Sequence, residues 1–467
     1  MKSIIQGNIN VIKLLGKQRL KDSEYRQMKY VLQDECEDGT LLHNSITGQM
    51  VLLSPEEADF LKHLPSIKKE IANALVEAYF LVPVDYDEQI TVDKLRILMK
   101  KVFPKEGISG YTILTTTNCN ARCFYCYQAD YPHINMSEDL AKRLVDYMED
   151  HKGSGTLHLS WFGGEPLMGI KRIDQICMDL EGRGIKFSSN MISNGYLFDE
   201  EIVARAVNLW KLKSIQITLD GPENVYNSTK AYVSSTVSPY QRVLKNIDLL
   251  LRNKVRVAIR LNLDQHNIDD LRDLVDDLYQ KIGKQDLFEV YSHILFNDEG
   301  YKPIQRNKDE ENKLYEYQNE LSAYMERLGL ARHHLLLPSL KVYSCMADNE
   351  STVVVFPDGR FFKCEHTAIG DEFGHLDRGV EREENIDKFK QLARMDKCKN
   401  CPIYPSCMPL KECNGLDNYN RFTCGYNVSS RRRALTLKYR ERKGSTEKNS
   451  EISKKDIKRL FEDEKTC

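Results

Sequence analysis

From Tyr111 to His293 the chain alternates short apolar runs with helical patterns, and that alternation constrains the fold more than any other feature. Strand, helix and strand in repeated order form a parallel sheet covered by helices. The expected strands run from Tyr111 to Thr115, Leu157 to Phe162, Ile185 to Ile192, Ser214 to Leu219, Val255 to Leu263 and around Phe288 to His293. Ser137 is placed to cap a helix reaching Glu149, with Leu140, Leu144, Val145 and Met148 on one face. Ser238-Pro239 opens another helix. Five strands end in distinctive polar or glycine residues: a cysteine loop, Gly163-Gly164-Glu165-Pro166, Ser193-Asn194-Gly195, Asp220-Gly221-Pro222 and Asp264. In parallel α/β barrels the C-terminal strand ends carry the active site, so these turns are expected to face one cavity.

The loop after the first strand holds Cys119, Cys123 and Cys126. Three closely spaced thiolates can supply three ligands of a [4Fe–4S] cluster and leave one iron open to a small molecule. Tyr125 is placed to lie over a planar group beside that cluster. A zinc knuckle or unrelated thiols is the alternative, but zinc closes its tetrahedron with four ligands and the next cysteine is Cys177. Gly163 and Gly164 permit close backbone approach to a ligand, Glu165 offers a negative charge to an ammonium group, and Pro166 fixes the turn. Asp220 is the candidate contact to substrate or cofactor and the candidate proton acceptor, beside the plainer reading of a turn aspartate. Arg260 and Asn262 reach a cofactor carboxylate if the strand register turns them inward.

These residues resemble the radical S-adenosylmethionine superfamily. The spacing of Cys119, Cys123 and Cys126 is similar to its cluster motif, and Gly163-Gly164-Glu165-Pro166 to the turn that binds the methionine amine. Ser193 and Asn194 lie where the family contacts ribose and carboxylate. The resemblance implies an α/β fold with a partial (β/α)6 TIM-like barrel, S-adenosylmethionine on the open iron and hydrogen abstraction by a 5′-deoxyadenosyl radical. Further along, Cys345, Gly359, Cys364, Cys398, Cys401, Cys407, Cys413 and Cys424 resemble the SPASM domain of auxiliary-cluster enzymes. Cys413 departs from the pattern, following Cys407 after five residues, from Met408 to Glu412, where the family has three. The resemblance implies one auxiliary [4Fe–4S] cluster on Cys398, Cys401, Cys407 and Cys424. It implies a second on Cys345, Cys364 and Cys413, left with an open position because Ala331 to Ser344 contains no cysteine. Two zinc ribbons would need eight thiolates, and this block holds seven.

Before the barrel, Val31 to Gln33, Leu41 to Asn44 and Val51 to Leu53 read as short strands, followed by helices at Pro55 to Leu64 and Ile67 to Ala78. The segment is similar to a winged-helix α+β peptide-recognition domain, with a plain cap over the barrel as the alternative. The expected domains are therefore 1–100 for peptide recognition, 105–325 for the barrel, 335–430 for the auxiliary clusters and 431–467 for a charged tail. From Arg431 to Cys467 there are 13 Lys/Arg and 7 Asp/Glu, so +6 there leaves −8 for the rest of a chain of net charge −2. Such a tail suits an acidic partner, yet the favoured reading is a solvated, frayed helix, and nucleic acid is not expected. No apolar run spans a membrane, no secretory signal opens the chain, and thirteen cysteines favour cytoplasmic metal or redox chemistry. Cys36, Cys177 and Cys467 fit no cluster pattern and read as free thiols.

Together these features point to a peptide maturase that installs a thioether or other cross-link in a precursor peptide and draws electrons from a flavodoxin or ferredoxin. An anaerobic sulfatase-maturating enzyme making formylglycine is the first alternative. A non-catalytic iron–sulfur redox protein is the second, and it leaves the turns at successive strand ends without a purpose.

Overall fold

The computed structural model describes residues 1–21, 24–62, 69–104, 106–235, 237–295, 306–331, 337–366, 370–407, 409–413, 424 and 427–444. The N-terminal part runs β1 (Lys2–Gln6), α1 (Ile9–Leu15), β2 (Tyr25–Gln27), β3 (Val31–Cys36), β4 (Gly39–Asn44) and β5 (Gln49–Leu53). It continues through α2 (Pro55–Lys62), α3 (Lys69–Glu77), β6 (Leu81–Pro83) and α4 (Glu88–Val102). The three expected strands are β3, β4 and β5. The chain start adds a fourth, giving the antiparallel order β1-β5-β4-β3, while β2 and β6 form a separate ribbon. Leu42, Val51 and Leu53 pack with Leu75, Val76 and Phe80 on one face of the sheet.

The barrel repeats strand and helix as the alternation demands. It comprises β7 (Gly110–Leu114), α5 (Glu138–His151), β8 (Leu157–Phe162), α6 (Ile170–Gly182), β9 (Phe187–Ser193), α7 (Glu200–Asn208) and β10 (Leu212–Leu219). Then follow α8 (Glu223–Lys230), α9 (Pro239–Arg252), β11 (Arg256–Leu263), α10 (Leu271–Lys281), β12 (Phe288–Ile294) and α11 (Lys308–Leu328). Ser137 caps α5 by accepting from the Leu140 amide at 3.1 Å, and Ser238 caps α9 at Gln241. The six strands are parallel neighbours in the order β12-β11-β10-β9-β8-β7. Their outward residues, among them Leu159, Trp161, Ile215, Ile217, Ile259 and Leu261, form one core with the apolar faces of the helices.

The sheet does not stop at β7. Strand β13 (Thr352–Val355) pairs parallel to it, and β14 (Arg360–Phe362), β15 (Gly374–His375) and β16 (Gly379–Val380) extend the same sheet antiparallel to a total of ten strands. The cysteine-rich region expected at 335–430 is thus continuous with the barrel through backbone pairing. It also meets the N-terminal part, since Cys398 and Tyr404 pack into the core under β3 to β5.

Residues 427–444 form a helix packed on the other face of the N-terminal sheet, which corrects the reading of a solvated helix for residues 431–444. Leu435 and Tyr439 bury against Leu32, Leu41, Met50 and Leu52, an apolar stripe hidden among the charges. Arg440 and Lys443 pair with Glu37 and Asp38, and Arg433 ties the helix to Glu326 of α11 at 2.9 Å. The basic surplus is therefore partly neutralised within the fold. Cys467, residues 63–68 of the expected helices and Met408 in the Cys407–Cys413 loop lie outside the described residues. No helix among the described residues is long and apolar enough to cross a membrane.

Candidate functional site

The cysteine loop follows β7 and is held by its neighbours' backbones. Arg122 N donates to Lys230 O at 2.9 Å and Val233 N to Asn120 O at 2.9 Å, while Glu165 N donates to Asn118 O at 2.8 Å. Cys119, Cys123 and Cys126 border a cavity of about 390 Å3, walled also by Thr117, Phe124, Gln128, His133 and Gly164. Burial pushes the Cys119 thiol up to about 12, with the Glu165 charge adding to it. Burial also raises Cys123 and Cys126, against the lowering pull of Lys230 on both. Such thiols stay protonated until a metal displaces the proton, and a cationic neighbour suits thiolate ligands of a cluster. Among the described residues no three His, Cys, Asp or Glu side chains converge closely enough to hold a single metal ion.

The residues expected at the strand ends do come together, but several serve one another. A Cβ on Gly163 would stand 2.2 Å from Thr116 O, and one on Gly164 would stand 2.3 Å from Asn118 O. The glycines thus admit the cysteine loop's own backbone, and Gly164 also borders the cavity. Gly163 also sits at φ +131°, a conformation that favours glycine. Glu165 is fully buried and accepts from Ser193 Oγ (2.9 Å), Asn194 N (2.9 Å) and Leu167 N (3.2 Å). Burial raises its carboxyl, and the bonds from Asn194, Leu167 and Ser193 oppose that. A carboxylate offers about four acceptor sites, so its charge is largely satisfied inside the protein. Pro166, itself buried, opens a 3-10 turn over Pro166–Gly169. Ser193 and Asn194 knit the second and third strand ends together, and Asn194 Nδ2 donates to Asn120 Oδ1 of the cysteine loop at 2.7 Å.

Asp220 is buried and fully engaged. Tyr125 OH lies 3.0 Å from each of its oxygens, and Lys230 Nζ is 3.0 Å from Oδ2 and 2.8 Å from Tyr125 OH. Burial alone would lower the Lys230 ammonium, but the charges of Asp220 and Tyr125 hold its pKa well above the ordinary value. Asp220 is tied to the cysteine loop through Tyr125, whose hydroxyl points at Asp220 and Lys230, while Phe124 is the aromatic residue that borders the cavity.

The register settles where Arg260 and Asn262 point. Val257, Ile259 and Leu261 enter the helix-side core, so Ala258, Arg260 and Asn262 face the barrel interior, opposite Glu289, Tyr291 and His293 of β12. Arg260 Nε donates to Asn262 Oδ1 at 3.0 Å. Lys230, Asn120, Tyr127, Tyr291 and His293 were not anticipated. Only Lys230 left a trace, a lysine four residues after Tyr226 on the buried face of α8.

The distal cysteines fall into two groups. Burial pushes Cys407 up to about 12, with Cys401, Cys424 and Cys398 adding to it. Cys364 is likewise pushed up to about 12 by burial, with Glu365 and then Cys345 and Cys413 among the contributing charges. Cys345 is exposed, its amide donating to Asp348 Oδ1 at 3.0 Å. Tyr127, next to Cys126, packs against His366 with ring centroids 4.3 Å apart and planes tilted by 31°, so the two cysteine regions meet across an aromatic pair. Cys177 is buried on the core face of α6 and Cys36 lies at the end of β3, both apart from these groups.

Residues 113–278 match the family model described as the Radical SAM superfamily. A cysteine-type anaerobic sulfatase-maturating enzyme of Clostridium novyi (strain NT) is 23% identical over 334 residues, 62% of this chain and 84% of that protein. A GTP 3′,8-cyclase of Clostridium perfringens (strain SM101 / Type A) is 24% identical over 197 residues, 39% of this chain and 55% of that one. Among solved structures, native anSMEcpe with bound AdoMet superposes with a TM-score of 0.55 at 16% identity, covering 70% of this chain and 99% of that one. At that identity the likeness is one of fold.

Proposed function

We propose that the chain, whose residues 113–278 match the Radical SAM superfamily model, is a radical SAM enzyme that uses a [4Fe–4S] cluster and S-adenosylmethionine to modify a ribosomally made precursor peptide, forming a thioether or another cross-link. When bound, the cluster and cofactor supply a 5′-deoxyadenosyl radical by one-electron cleavage of the sulfonium. Cys119, Cys123 and Cys126 would hold the cluster, with the Lys230 ammonium beside two of the thiolates. Phe124 and Gly164 wall the cavity in which the cofactor would lie, near Asn194. Ser193, Glu165 and Asp220 keep the strand-end turns and the loop in register, so little reorganisation accompanies binding.

The observation that carries the peptide reading is the N-terminal sheet, whose strand β3 is an edge available for an added strand. Cys398, Cys401, Cys407 and Cys424 form the candidate set for one auxiliary cluster, and Cys345, Cys364 and Cys413 for a second with an open position. An open iron there would take and deprotonate a substrate cysteine. A flavodoxin or ferredoxin is the proposed electron donor.

The match to a sulfatase-maturating enzyme favours a second reading, oxidation of a cysteine to formylglycine. Mass spectrometry of a cysteine-containing precursor peptide co-expressed with the enzyme separates the two. A cross-link removes two hydrogens and keeps the sulfur, whereas formylglycine formation from cysteine loses the sulfur. An unmodified peptide, with active S-adenosylmethionine cleavage confirmed in the same cells, counts against both.

A further inference from the structure

Three of the candidate ligand cysteines share one local turn. The sulfur of Cys119 accepts from Ala121 N at 3.4 Å, that of Cys345 from Ala347 N at 3.2 Å and that of Cys364 from His366 N at 3.4 Å. An amide aimed at sulfur favours the thiolate, so each turn is shaped to present a ligand. The Cys345 turn has a further support from a distant part of the chain. Asp348 Oδ1 accepts from Cys345 N and Oδ2 from Ser344 N, each at 3.0 Å. Arg96 Nη2 donates to the same Oδ2 at 2.9 Å, and Arg96 Nε donates to Val342 O at 3.0 Å. The Arg96 and Asp348 side chains are 11% and 4% exposed.

Arg96 belongs to α4, whose Val92 and Leu95 are anchored in the N-terminal core. Its guanidinium grips the chain at Val342, before Cys345, and at Asp348, after it. From the other side Lys363 Nζ donates to Asn349 O at 2.7 Å and Thr352 O at 2.8 Å, tying the exit of the turn to the residue before Cys364. Close packing does not hold the turn here, because Arg96 and Asp348 both line a cavity of about 470 Å3 between α4 and residues 390–394. A buried carboxylate that loses its cation takes up a proton or water, and either change loosens the amides it held. Partners behind a metal ligand fix that ligand's orientation. We propose that Arg96 is a positioning residue for the open auxiliary site, placing Cys345 as a ligand through Asp348. The N-terminal part is then needed to build that site. This assignment rests on the auxiliary-cluster reading above.

The test uses the full chain with Cys119, Cys123 and Cys126 replaced by alanine, reconstituted with iron and sulfide so that only the distal sites load. In that parent, Cys345→Ala sets the reference: a loss of roughly four irons per chain and of one electron paramagnetic resonance signal of the reduced protein. Arg96→Met is expected to reproduce both losses. Arg96→Lys should recover part of the signal, because an ammonium still reaches Asp348. Arg394→Met, which lines the same cavity but pairs with Asp93, should leave iron and spectrum unchanged. Parental iron and both signals in Arg96→Met, or no recovery in Arg96→Lys, overturns the proposal. So does loss of both signals in Arg96→Met, which makes the arginine a general support of the region. If Cys345→Ala binds as much iron as its parent, Cys345 is no ligand, the auxiliary reading fails and the proposal falls with it.

Discussion

Lys230→Met is expected to destabilise the barrel, and a paired substitution at Asp220 to restore much of the loss. The two charges stand 3.0 Å apart with side-chain exposures of 4% and 1%, and Tyr125 is their shared polar neighbour. Methionine keeps the lysine stem's bulk but leaves a buried carboxylate with one neutral donor. Removing one partner of such a pair costs about 3–5 kcal/mol. Lys230→Met/Asp220→Leu removes both charges and leaves the Tyr125 hydroxyl unsatisfied, at about 1–3 kcal/mol. The double variant should thus be more stable than Lys230→Met, with a coupling of about 2 kcal/mol or more. Urea unfolding of the cluster-free chain followed by tryptophan fluorescence isolates the effect, because Trp161 and Trp210 are the only tryptophans and both are fully buried in the barrel core. A double variant destabilised by the sum of the two single losses would refute the argument, since the groups would then not be stabilising each other.

Gly164→Ala should misplace the cysteine loop, because the added Cβ meets the Asn118 and Thr117 carbonyls at 2.3 and 2.5 Å; iron analysis after reconstitution is expected to show a loss of roughly four irons per chain. His43, buried with Nε2 donating to Pro338 O at 2.6 Å, has its pKa lowered to about 4 by burial. Its neutral form therefore stabilises the fold fully above pH 6.5, and about 3 kcal/mol is lost as the pH falls from 6.5 towards 4. Urea midpoints by circular dichroism should show that slope, and His43→Gln should flatten it. Leu435→Ala should cost about 2–5 kcal/mol and free the C-terminal helix, read as faster amide exchange in β3 to β5.

Periodicity read the six barrel strands to within a few residues, because each has an apolar outer face and a turn residue at its end. The cysteine triplet and its companion turns were legible for the same reason: they are local in sequence. What escaped is what depends on distant pairing. Lys2–Gln6 is too short and polar to announce a strand until β5 is there to pair with it. Lys230 meets Asp220 and Tyr125 only when α8 folds back under the loop. The C-terminal helix carries so many charges that composition hid Leu435 and Tyr439. Glu165 and Ser193 were correctly brought into one place, yet a sequence cannot tell a group that waits for a ligand from one that bonds its neighbour.

The parallel pairing of β13 with β7 gives the two cysteine regions a common frame. The radical loop leaves the C-terminal end of β7, and Cys364 follows β14, whose antiparallel partner is β13. Backbone ladders, unlike side-chain contacts across a hinge, fix that offset to within a hydrogen-bond length. Tyr127 and His366 then meet as a consequence of register. The offset between the two cysteine regions is therefore built into the sheet itself.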